Sequence, residues 1–414
     1  MKKSKTLYTR FVLWLSKSYT IYILMSLIVF AFLIVAVVSN KLGVTDVIEF
    51  SAFSAVLLES ALITFSNILC KHLANKIEDP SKLTDDYEKI AEIYKSSISE
   101  MVIGDDGKPI PVVFVSWIYN KTIEIVDNPN NEYRLPEMIV RFYDQLFTAH
   151  QTSNIYNNIN VRVCDWNESE NKFIITTGRT TYYNSLVTNR AMDLRLEDGI
   201  SVRQLYECGP FILPLSLSKL SNHLGFNGFV ESSDGYIAFV FRQDNISIGK
   251  RTWGDSIGAS LKSKYALENY SFTVEGLKNG IKSEIDDELK IPFDSIVQMN
   301  IIAAYRDLIE GGKPQLLFYC LSSKSKDDIT TAFEVGNHTI RERRRNARYT
   351  RERQEIEMET DGKKIYWIHK NDIMSNVEIR SDRIIHNGKV LYMMPSASAC
   401  VALIRKFFID SETT

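Results

Sequence analysis

Three carboxylates stand within one and a half turns of a helical pattern: Glu284, Asp287 and Glu288 in the stretch VEGLKNGIKSEIDDELKIP. Glu284 and Glu288 are four apart and share a face, with Asp287 beside them. Like charges at that spacing repel unless a cation sits among them. Magnesium fits such a set, because it is a hard cation that takes oxygen ligands and bridges to phosphates. Leu277, Ile281, Ile285 and Leu289 recur every four residues and give the helix one apolar face. On the helix alone, the solvated face of an amphipathic helix is the stronger reading of the three acids.

A second set joins cations to aromatic rings. Arg179, Tyr182, Tyr183 and Arg190 lie within GRTTYYNSLVTNRAMD, and Arg242 and Lys250 fall at the end of a strand pattern and in the loop after it. Cations suit phosphates and ring faces suit bases, so these six are candidate ligand contacts. The competing reading is ordinary surface pairing. A basic run near the end holds Arg341, Arg343, Arg344, Arg345, Arg348, Arg351 and Arg353. A solvated helix face or flexible loop is the favoured reading there, and contact with anionic headgroups or nucleotide phosphate comes second.

Other chemistries are excluded. The sequence has no G-x-S-x-G, no H-E-x-x-H and no GKS/T phosphate loop. Its five cysteines are scattered without a CxxC spacing, which argues against a disulfide framework and a zinc site. A net charge of -2 gives no general pull toward nucleic acid or anionic lipid.

The elements that must position these residues begin with an apolar N-terminus. Ile21 to Val38 holds no charge, and its flanks bring it to the ~20 residues that cross a ~30 Å hydrocarbon core. A signal peptide is the weaker reading, since the run is too long and no A-x-A site follows. A second, more polar segment runs from Val44 to Cys70 and carries Glu59, whose ionised form costs about 3 kcal/mol or more in mid-membrane. Transmembrane helices are expected over about 19–40 and 44–70, with both termini cytoplasmic by the placement of Lys and Arg. Glu59 then becomes a pore candidate in a self-associated assembly. Beyond Pro80 the composition reads as a helix over Leu83–Tyr94 with Thr84 or Asp85 as its N-cap. A strand over 112–119, a polar loop at 128–131 and a helix near 137–149 follow, then two strands around Ser232–Gly235.

The order of strand, DG turn, strand ending in arginine, glycine-containing loop and acidic helix resembles the Nudix fold. Glu275, Glu284, Ile285, Asp287, Glu288 and Ile291 match its signature G-x5-E-x7-R-E-U-x-E-E-x-G-U, in which U is a bulky aliphatic. Asn269, Ser283 and Lys290 depart from it at the first glycine, the arginine and the last glycine, with Gly258 as a displaced candidate for the first. The whole chain is similar to membrane-spanning Nudix effectors of bacterial cyclic-oligonucleotide-based anti-phage signalling (CBASS).

That resemblance implies a membrane α-helical hairpin plus an α/β Nudix-like sandwich, a mixed sheet with helices on both faces. The expected divisions are an anchor over 1–78, a connecting region over 79–153 and the Nudix-like domain over 154–414. The implied function is an inner-membrane effector whose soluble domain senses a cyclic nucleotide and triggers oligomerisation and membrane disruption. Its partners would be the nucleotide, the bilayer and copies of itself, with no nucleic acid polymer, and no cofactor would be required. The alternative is a membrane-anchored hydrolase of a nucleoside diphosphate derivative, using magnesium on Glu284, Asp287 and Glu288.

Overall fold

The computed structural model describes residues 82–150, 157–243, 246, 248–268, 270–347 and 362–412. The chain divides into two compact units, Met1–Asp79 and Pro80–Thr414, and the described residues belong to the second.

Strands follow one another as β1 (Met101–Ile103), β2 (Pro109–Trp117), β3 (Thr122–Glu132), β4 (Ile159–Glu168), β5 (Lys172–Thr181), β6 (Gly225–Glu231), β7 (Tyr236–Arg242), β8 (Trp253–Gly254), β9 (Ile257–Ser260), β10 (Leu267–Glu268), β11 (Ser271–Phe272), β12 (Ile296–Asp307), β13 (Lys313–Ser322), β14 (Gly362–His369), β15 (Val377–Arg380), β16 (Arg383–His386) and β17 (Lys389–Tyr392). The largest sheet has the order β1-β2-β12-β13-β6-β7-β14, with β8 added to β7 and β9 to β6. Its pairs are antiparallel except β13 with β6, which is parallel. Smaller sheets are β3-β5-β4 and β15-β16-β17.

Alternation along β13 shows why this sheet is central. Leu316, Phe318 and Cys320 enter one apolar core, and Leu317 and Tyr319 enter the other. A strand buried on both faces reads as a continuous apolar run, as LLFYC does. On one side lie the Val274–Leu289 and Lys326–Asn346 helices with β4 and β5, and on the other the Pro395–Glu412 helix with β15 to β17. Leu277, Ile281, Ile285 and Leu289 are all fully buried, so truncating any one to alanine would cost about 2–5 kcal/mol.

Between β6 and β7 the sheet splays. The two strands meet at one pair, Glu231 with Ile237, beside the turn over Ser232–Gly235. Beyond it β9 takes over the pairing of β6 and β8 that of β7. Ser256, between β8 and β9, holds the fork: its Oγ accepts from Val230 N at 2.8 Å and donates to Ala238 O at 2.6 Å. A hydroxyl here satisfies two backbone groups that the split ladder leaves over.

The expected membrane α-helical hairpin plus Nudix-like sandwich is corrected to a mixed α/β fold. Among the described residues no helix is long and apolar enough to cross a membrane. The 21-residue Lys326–Asn346 helix shows why, since it carries charge along its length and buries only a narrow stripe. Both expected spans and Glu59 fall within residues 1–81, outside the described residues. Three local expectations also change. The N-cap of the Tyr87–Ile93 helix is Asp86, whose side chain accepts from Lys89 N, and not Thr84 or Asp85. The 128–131 stretch continues β3, and the helix near 137–149 is two short helices, Glu137–Arg141 and Tyr143–Thr148.

Candidate ligand-binding site

The splay between β6 and β7 borders a cavity of about 200 Å³. Both arms contribute: Asn227, Gly258 and Ala259 from β6 and β9, Val240, Arg242 and Trp253 from β7 and β8, and Asp255 from the fork. Tyr182, Arg190, Lys262, Glu284 and Glu288 line it too, as do Glu310, Lys313 and Gln315 around the β12–β13 turn. Met394, Ser396 and Ala397 add the start of the Pro395–Glu412 helix.

Several cations in this lining are held by acids. Arg190 donates to Tyr182 Oη at 2.5 Å and pairs with Glu310 at 3.4 Å, its guanidinium 5.0 Å from the Tyr182 ring centre. Lys313 reaches the other oxygen of Glu310 at 3.4 Å, and burial pulls its ammonium pKa down. Lys262 pairs with Glu284 at 2.7 Å. Burial, then Lys313 and Arg190, keep His223 well below the usual imidazole range, so its ring is neutral and bonds Ser260 Oγ at 2.8 Å.

Asp255 differs. Burial pushes its carboxyl well above the ordinary range, and Arg242 opposes that shift without cancelling it. It is therefore a neutral acid with an O–H to donate. Its Oδ1, Gln315 Oε1 and both side-chain atoms of Asn160 are buried without a hydrogen-bond partner among the described residues. Each such group costs about 1–3 kcal/mol, which a bound ligand with matching polar groups would offset.

The structure thus brings Tyr182, Arg190, Arg242, Glu284 and Glu288 together and leaves four other candidates elsewhere. Arg179 is buried in a clamp, donating to the two oxygens of Asp127 at 2.7 and 2.8 Å. Tyr183 packs on Phe147 with ring centres 4.8 Å apart. Lys250 sits in the turn closed by Thr252 N to Gly249 O and is not part of the lining. Asp287 is exposed, about 100° round the helix from Glu288. Among the described residues no three His, Cys, Asp or Glu side chains group closely enough to hold a metal. Lys290, in the place of the family's final glycine, has φ +60 and ends the helix with its Nζ 2.5 Å from Asp287 O. The left-handed backbone explains why glycine suits that position.

Sequence reasoning missed Asp255, Gln315, Asn160, Lys262, Glu310 and Lys313. A usable signal existed for two of them: Gln315 interrupts an apolar strand, and Asp255 follows Trp253-Gly254 between two strands. For the others, only the tertiary fold brings them near.

No family model and no curated protein matches this chain. Among solved structures 13 chains match. One is a crystal structure of DR0079 from Deinococcus radiodurans, 12% identical, covering 37% of this chain and 70% of that one with a TM-score of 0.23. Similarity at that level carries no statement about activity.

Proposed function

We propose that the β6–β7 cavity is a receptor site for a cyclic nucleotide, and that the chain is an anti-phage effector gated by that ligand. Its output is disruption of the inner membrane, with no bond-breaking required at Glu284 or Glu288. The observation that carries this reading is the convergence on one cavity of Arg242, the Tyr182–Arg190 pair and three buried residues with unmet hydrogen-bonding atoms. Cations suit the phosphates, while amides and a neutral acid suit base edges and ribose hydroxyls. A magnesium-dependent hydrolase is the second reading, favoured by Glu284 and Glu288 on the same cavity wall.

Calorimetric titration of the full chain with a panel of cyclic di- and trinucleotides tests the proposal. One of them binds and is recovered intact, and Gln315→Leu weakens it by about tenfold, the usual effect of losing one buried hydrogen bond to a ligand. Failure of the whole panel to bind would end the receptor reading. Magnesium-dependent cleavage that Glu288→Gln abolishes would replace it with the hydrolase.

A further inference from the structure

The start of the Pro395–Glu412 helix forms part of the cavity wall, through Met394, Ser396 and Ala397. Pro395 is its first residue and has no N–H, a position that proline favours. The N–H groups of Ser396 and Ala397 cannot reach a carbonyl inside the helix, and the macrodipole makes that end positive. The helix is 18 residues long, so this end effect is fully developed. Arg242 stands close by: a Cβ placed on Gly249 would lie 3.4 Å from Arg242 Nη1 and 3.1 Å from Met394 Cγ. Gly249 has φ +68, and the absence of a side chain there keeps the space between the guanidinium and the helix start open.

A helix end and one arginine do not make a site unaided. The independent observation is at the polar residues of the same cavity. Asp255 and Gln315 are 6% and 4% exposed, and Asp255 Oδ1 and Gln315 Oε1 have no hydrogen-bond partner among the described residues. A carboxylate at Asp255 would repel an anion, but burial keeps this acid protonated, so it presents an O–H instead. Gln315 adds an amide, whose NH₂ and oxygen exchange places on a half-turn of the side chain.

We infer that the space between Arg242 and the N-terminus of the Pro395–Glu412 helix is an anion subsite for one phosphate of a phosphate-bearing ligand, with Asp255 and Gln315 beside it. This deepens the receptor reading, and rests on it for the identity of the rest of the ligand. The phosphate lies against backbone N–H groups and a guanidinium, the standard combination at a helix start. Arg190 and Lys313 do not serve it directly, because Glu310 engages both. Their role is to hold the β12–β13 turn and Tyr182 in place around the cavity.

Ser396→Asp isolates the subsite from the fold. A carboxylate in the first turn favours the helix, so the melting temperature holds or rises, while the added charge repels a phosphate. The probes are inorganic pyrophosphate and the cyclic nucleotide panel, titrated calorimetrically into the full chain, the Ser396→Asp variant and the Arg242→Gln variant. The expected result is binding of pyrophosphate by the parent chain, weakened at least about tenfold in either variant, with thermal stability retained in Ser396→Asp. Pyrophosphate binding that Ser396→Asp leaves unchanged would overturn the subsite. A cyclic nucleotide that binds the parent and Ser396→Asp alike would overturn the subsite and keep the receptor reading. Pyrophosphate binding lost in the variants, with no cyclic nucleotide bound by the parent, would keep the subsite and overturn the receptor reading. Binding of neither probe would overturn both.

Discussion

Arg179 with Asp127 and Arg242 with Asp255 are two buried arginine–aspartate neighbourhoods with opposite surroundings. Asp127 accepts from Arg179 twice, from Thr177 Oγ1 at 2.7 Å, from Phe272 N at 2.8 Å and from Ser271 Oγ at 3.4 Å. Burial alone would raise its carboxyl pKa, but the hydrogen bonds from Arg179, the Phe272 N–H and Thr177 hold it below the ordinary value. The clamp joins β3 and β5 to β11 and leaves Asp127 fully engaged. Asp255, by contrast, is forced neutral by burial, and its Oδ1 has no partner among the described residues. A saturated network of this kind builds the fold. Unmet polar atoms around a cavity are a reason to look for a ligand.

The largest expected effect breaks the saturated side. Asp127→Ala leaves the Arg179 guanidinium buried without its carboxylate, and removing one partner of such a pair costs about 3–5 kcal/mol. Urea denaturation at pH 7 measures it. A loss below about 1 kcal/mol would mean that the clamp is not structural, and the distinction between the two neighbourhoods would fail. The sign with pH follows from the lowered pKa. The stability due to Asp127 is present above the unfolded value, near 3.9, and is lost as pH falls through the folded one.

A smaller effect sharpens the comparison at Glu207, which is buried with an unmet Oε1 but does not line the cavity. Burial raises its pKa to about 7, with Arg306 and the Leu213 N–H opposing. Between pH 4.5 and 7 the folded state then binds more protons than the unfolded one, so this group lowers stability as pH rises. Glu207→Gln removes that loss and stabilises by roughly 2 kcal/mol at pH 8, with no gain at pH 4. Melting curves across that range give the answer. A gain that is the same at both pH values would show that the carboxyl does not titrate as its burial implies. Ligand binding should not change in this variant, because an unmet buried atom away from the cavity has no ligand to lose.

Much of this was legible in the chain. The four-residue repeat of Leu277, Ile281, Ile285 and Leu289 fixed which face of that helix is buried, and the Ser232–Gly235 turn located the β6–β7 pair. What periodicity cannot express is how two paired strands part. β8 and β9 are only 2 and 4 residues long, too short to leave a pattern, yet their insertion makes the cavity. The candidate cations were half legible for a related reason. Arg179 and Arg190 sit 11 positions apart in one polar stretch, but Arg179 is on a strand facing Asp127 and Arg190 is on a short helical turn beside Glu310. Residue type nominated both, and only the partners supplied by distant segments separated them. The polar 128–131 stretch misled because loop composition there extends an edge strand, whose exposed backbone tolerates Asn and Pro.

The smallest expected effect concerns Asp287, where sequence and structure part most plainly. As one of three clustered acids it was a magnesium ligand. In the fold it is exposed, outside the cavity lining, while Glu284 is buried against Lys262. Asp287→Asn keeps the size of the side chain and leaves intact the Lys290 bond, which goes to the Asp287 backbone carbonyl. It also relieves Asp286, whose carboxyl is raised by burial and then by the charge of Asp287. Stability should therefore move by no more than about 0.5 kcal/mol, the usual range for an exposed position, and toward greater stability. Nucleotide binding should be unchanged. The deciding measurement is the melting temperature with and without millimolar magnesium, in the parent chain and in Asp287→Asn. A magnesium-dependent rise in the parent that vanishes in the variant would restore the three-carboxylate site and move the metal chemistry to the solvent face of the helix. An equal response in both chains would leave Glu284 and Glu288, the two acids on the cavity wall, as the part of the acidic cluster that bears on function.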